Sequence, residues 1–164
     1  MLQRGKLVLV WVLVAAAVIA VVVKRFVGEP LNARDLFVPP VVLLGIGVYS
    51  VTKVPLTATD VLWLVGGAVV GFGFGALRGS TTRLFTRDGV LWQRYTPWTL
   101  VVWVVSLAAN FGVGYLATTG GAHADTRPMT LSVGVGLLGE LVPVGLRALR
   151  SGVPFAPEPR RPRR

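Results

Sequence analysis

Glu140 is the one charged residue in GVGLLGELVPVGL, residues 134–146. An ionised acid at the centre of a bilayer costs about 2.5–3.5 kcal/mol on insertion scales, so it must face protein or a wet cavity. There it can bind or relay a proton or a cation. Ser132 and Gly136 precede it at spacing four, and an earlier apolar run carries Ser106, Asn110 and Gly114 at the same spacing. Each trio falls along one helix face. Asn110 and Glu140 each lie about eleven residues into their runs from opposite ends, about 16 Å at 1.5 Å per residue. Both are therefore expected near the midplane of a hydrocarbon core of roughly 30 Å. The short link 117–128 makes the two helices expected antiparallel neighbours, with Glu140, Asn110, Ser106 and Ser132 forming a polar midplane site. Pro143 deprives the Gly139 carbonyl of its helical donor. Arg78 and Arg147 are the candidate cations for Glu140. These residues fit either a structural carboxylate or one that handles protons or cations.

Other chemistry is poorly represented. The chain has no cysteine, which removes disulfides, thiolate metal sites and thiol redox steps. His123 is the only histidine and stands among Gly120, Gly121 and Asp125, too isolated to build an imidazole metal site. No serine–histidine or paired-aspartate set falls on facing runs, and no glycine-rich phosphate loop follows a strand. Asp60 opens a helix after Thr59, where an acid suits the positive helix end. The residues point to a protein that is not an enzyme and uses no metal or cofactor.

The elements that must position Glu140 are set by hydropathy. Of 164 residues, 53% are hydrophobic and 15% charged, against about 25% charged in soluble domains. Five apolar runs, at about 7–23, 36–51, 61–77, 99–116 and 129–146, are each near the short end of spanning length. Backbone groups in hydrocarbon must be bonded internally, so these runs are expected as helices. The fold class is an all-α transmembrane five-helix bundle occupying residues 1–150. With five spans, thirteen of the 17 Lys and Arg residues fall on one side. The positive-inside rule makes that side cytoplasmic, with the N-terminus outside. The net charge of +10 is then a matter of topology and does not point to nucleic acid.

Between the third and fourth runs, residues 81–96 carry Asp88-Gly89 flanked by β-branched and aromatic residues, a hairpin signal. A two-residue turn sets Arg83 opposite Arg94, Phe85 opposite Trp92 and Arg87 opposite Val90. The resulting aromatic and basic face suits anionic headgroups at the cytoplasmic side or a protein partner. Gly67, Gly71, Gly75 and Gly79 recur at spacing four in the third run. They form a small-residue ridge for close helix packing, within the chain or between copies. Residues 151–164 are rich in proline and arginine and are expected to be a disordered tail. The residues fit best a non-enzymatic accessory or scaffold subunit binding another membrane protein or anionic lipid. A small proton- or cation-coupled transporter is the alternative.

Four blocks carry a family resemblance: Lys24-Arg25-Phe26 closing the first run, Leu36-Phe37-Val38-Pro39-Pro40 opening the second, FTRDGVLWQR at 85–94, and LVPVGLR at 141–147. In these the chain resembles the CcdC-like family of small bacterial integral membrane proteins. The resemblance implies a multispanning protein of the bacterial plasma membrane and carries over no catalytic residues. The founding member is named for an association with cytochrome c maturation, but a chain without cysteine cannot relay thiol electrons.

Overall fold

The computed structural model describes residue 23, residues 25–123 and residues 128–157. The first apolar run, 7–23, thus lies outside the described residues apart from Val23, as do tail residues 158–164. The described elements are β1 (Glu29–Pro30), α1 (Ala33–Val51), α2 (Ala58–Thr81), β2 (Arg83–Arg87), β3 (Val90–Arg94), α3 (Pro97–Thr119) and α4 (Met129–Ser151). The helices correspond to the second to fifth apolar runs, and the hairpin lies between the third and fourth.

All four helices are long and apolar enough to cross a membrane. The 24 residues of α2 reach about 36 Å, more than the roughly 30 Å a hydrocarbon core demands. Leu62, Trp98, Phe111 and Tyr115 point outward, each more than two-thirds exposed. Such apolar exposure is a liability in water and the ordinary condition of a lipid-facing helix. The chain is a multi-pass membrane protein, an all-α bundle with a small β-sheet at one end. Three helices start before their apolar runs, and at two of them polar side chains form the cap. Thr57 with Asp60 opens α2, and Thr96 with Thr99 opens α3, each as a reciprocal capping box that satisfies orphan backbone donors.

Packing is centred on α2, which lies against α3 on one side and α4 on another, while α4 also packs against α1. This corrects the expectation that α3 and α4 are neighbours. A nine-residue link can stretch to roughly 30 Å, so its shortness does not force the two helices together. What decides the arrangement is glycine. Gly71, Gly75 and Gly79 of α2 face Ser132, Gly136 and Glu140 of α4, so the two helices run parallel. A Cβ added at Gly75 would run into the Gly136 carbonyl, and one at Gly139 into the Phe72 carbonyl. Only backbones bare on both sides approach this closely. Gly67 is half-buried one turn earlier.

At one end of the bundle β1, β3 and β2 form an antiparallel sheet in that order. Arg83 pairs with Arg94, Phe85 with Trp92 and Arg87 with Val90. Asp88 and Gly89 both take positive φ, 54° and 75°, as a two-residue hairpin turn of this twist requires. β1 is an addition to the expected hairpin: it turns an isolated pair, marginal alone, into a three-stranded unit. Leu31 and Leu91 from this unit bury against Val144 and Ala148 of α4, with Leu36, Leu84, Val153 and Phe155 around them.

The expected disordered tail is corrected for its first residues. Leu91 N–H donates to the Pro154 carbonyl at 3.1 Å, and Ala156 N–H to the Leu31 carbonyl at 3.0 Å. Val153 and Phe155 supply the apolar contacts that offset ordering this segment. Residues 25–34, the sheet and residues 152–157 therefore meet at one end of the bundle, as connections on a common side of a membrane must.

Candidate functional site

The α2–α4 register fixes where Glu140 stands. It lies halfway along α4 but level with Gly79, two residues before α2 ends at Thr81. If α2 spans the core, Glu140 sits near the sheet end of the membrane region. Measured along α2, the carboxylate is level with the last turn and not with the middle of that helix. Counting along the run assumed that neighbouring helices end together, whereas α4 continues beyond α2 to carry the sheet.

Three elements converge on the carboxylate. Arg78, in the last turn of α2, donates from Nε to Glu140 Oε2 at 2.7 Å, and each side chain is only 11% exposed. A second guanidinium nitrogen reaches the Gly136 carbonyl at 3.5 Å. From the β3–α3 connection, Tyr95 donates its hydroxyl to Glu140 Oε1 at 2.9 Å. Burial, and then the Glu140 charge, push the Tyr95 phenol well above its ordinary range, so it remains a donor. One charge-assisted bond per carboxylate oxygen is a strong arrangement for a buried acid. Arg147 is not a partner of Glu140. It donates to the carbonyls of Pro143 at 3.1 Å, Thr82 at 2.8 Å and Gly79. It thereby satisfies the C-terminal carbonyls of α2 with a cation, as the negative end of a helix favours.

A polar chain leads outward from Tyr95. Its N–H donates to the Arg25 carbonyl at 2.9 Å, and the Arg25 guanidinium lies 5.5 Å from its ring centroid. Arg25 pairs with Glu29, which accepts from Gln93 Nε2 at 3.1 Å. Beside this chain is a cavity of about 140 Å³ bordered by Glu29, Asp35, Gln93, Tyr95 and Glu140. At about 30 Å³ per water it holds a few molecules. Three of the seven acidic residues of the chain border it.

The other residues of the expected polar site are elsewhere. Asn110 bonds within its own helix, to the Ser106 carbonyl at 2.9 Å. It is eleven residues, about 16 Å, along α3 from Thr99, whose hydroxyl meets that of Thr81 at the end of α2. Ser132 lies two turns below Glu140, facing Gly71. Neither Asn110 nor Ser106 reaches the carboxylate. Tyr95 was missed by the sequence reading, although a tyrosine just before a helix cap is the one signal available for it. On the sheet, Phe85 and Trp92 stack with centroids 6.3 Å apart, and the Arg87 guanidinium lies 5.0 Å from the Trp92 ring. Arg83 and Arg94 stand opposite each other at the far end of the ladder.

The chain matches no family model, no curated protein and no solved structure. The resemblance to the CcdC-like proteins therefore rests on the sequence blocks alone, and the functional reading rests on the geometry around Glu140.

Proposed function

We propose that this protein is a small, non-enzymatic carrier that moves protons or small cations through Glu140, with the sheet end in the cytoplasm. The observation that carries this reading is the buried Glu140–Arg78 pair, with Tyr95 on its second oxygen, bordering a cavity of mixed polar and apolar lining that also carries Asp35 and the Arg25–Glu29 pair. A purely structural acid would be expected against dry packing, without a water-sized cavity beside it. Protonation of Glu140 neutralises it and releases Arg78 towards the Gly136 carbonyl already within its reach. A buried pair that has lost one charge is costly, so proton uptake is coupled to a shift between α2 and α4. Among the described residues, eight of the nine Lys and Arg residues lie towards the sheet end, with Lys53 at the other, which supports a cytoplasmic location for the sheet end.

The accessory-subunit reading has weaker support. The exposed apolar faces of the helices are what lipid requires of any span, so they single out no protein partner. The deciding experiment is flux in proteoliposomes loaded with a pH-sensitive dye. Wild type is expected to move protons down an imposed gradient, and Glu140→Gln to lose at least about tenfold of that rate, as expected when an essential proton-transfer group is removed. Equal proton flux in both, together with equal flux of sodium and potassium ions in a parallel assay, overturns the carrier reading.

A further inference from the structure

We infer that a second cavity, between the sheet and the start of α3, binds the phosphate of an anionic phospholipid headgroup. This goes beyond the carrier reading and is independent of Glu140. The cavity measures about 690 Å³ and is bordered by Phe26, Arg83, Arg94, Tyr95, Thr96 and Trp98, among others. That volume is within the roughly 300–1,000 Å³ typical of ligand sites, too large for a lone phosphate and suited to a headgroup with its glycerol.

Its charge is unusual. Arg83 and Arg94 are directly opposite across the β2–β3 ladder, where like charges destabilise. Arg25 and Arg78 are each paired with a glutamate, and Arg147 is taken up by three carbonyls. Arg83 and Arg94 have no ion pair or side-chain hydrogen bond among the described residues. Two guanidinium groups bordering one cavity, with no counterion among the described residues, can recognise a phosphate, which accepts several charge-assisted bonds at once. The start of α3 adds the positive end of its dipole.

The occupant is a lipid because of what else borders the cavity. Trp98, in the first turn of a spanning helix, is 71% exposed, and with Phe26 it places aromatic rings beside the arginines. Rings and cations together mark the level of lipid headgroups. Thr81 and Thr96, at the ends of α2 and α3, set the cavity at that same boundary.

The test is native mass spectrometry of the delipidated full chain titrated with phosphatidylglycerol or phosphatidylcholine. It compares wild type, Arg83→Gln/Arg94→Gln, the single variant Arg94→Gln, and Lys53→Gln as a control at the other end of the bundle. Wild type and Lys53→Gln are expected to retain phosphatidylglycerol preferentially. The double variant is expected to lose about tenfold of that preference, and the single variant part of it. The double variant removes a repulsion and is expected to stay folded; the single variant decides the matter if it does not. Equal preference in all four proteins, or a loss as large in Lys53→Gln, overturns the site. Displacement of the lipid by inorganic phosphate overturns the lipid as occupant.

Discussion

Asp60, at the start of α2, and Glu140, on α4 level with the end of α2, are both buried carboxylates, and they are held in different ways. Asp60 is fully enclosed. It accepts from the backbone and hydroxyl of Thr57 at 3.0 and 2.7 Å, and from the His123 backbone at 2.8 Å. Thr57 lies one turn away in sequence, so this acid is part of a helix cap. Glu140 is held by side chains 62 and 45 residues distant, one of them a full positive charge, beside a polar cavity. Asp60 also meets the ring of His123, 63 residues away, with Nδ1 3.1 Å from Oδ2, so what sets it apart is its place in a capping box at a helix start. A carboxylate balanced against a distant arginine changes its surroundings when it gains a proton.

The largest expected effect comes from breaking the Glu140 balance. Arg78→Met leaves a buried carboxylate without its cation and is expected to cost about 3–5 kcal/mol. Adding Glu140→Leu is expected to restore most of that loss, because an apolar pair of similar volume needs no counter-charge. Unfolding midpoints in mixed micelles measure both. If the double variant is no more stable than the single one, the pair is not the interaction that matters. Thr57→Ala at the other end sharpens the contrast with a smaller effect. Loss of an N-cap hydroxyl is expected to cost about 1 kcal/mol, with proton flux unchanged. A flux defect in Thr57→Ala would erase the distinction between the two carboxylates.

How legible each region was in the sequence follows the same division. Short-range devices could be read directly. Asp88-Gly89 specified the pairing of Arg83 with Arg94, because a two-residue turn leaves one register. Four apolar runs became four helices, because hydrocarbon allows little else. The surroundings of Glu140 could not be read, since they depend on how far α4 slides along α2. That offset is set by glycine-to-carbonyl contacts and by the last turns of α4 packing on Leu31 and Leu91, and neither is visible from spacing within one run. β1 has two residues, too few for any periodicity. Its pairing is imposed by β3, as the order of residues 152–157 is imposed by the apolar pocket that Phe155 enters.

A proton carrier of this design is expected to protonate Glu140 during transport and to leave Asp60 unchanged. Infrared difference spectroscopy of the reconstituted protein, acidified across the pH range in which flux occurs, measures this directly. The expected result is a protonated-carboxyl band that disappears in Glu140→Gln and persists in Asp60→Asn. A spectrum with no Glu140-dependent band over that range would contradict it, because a carboxylate that stays ionised beside Arg78 throughout carries no proton.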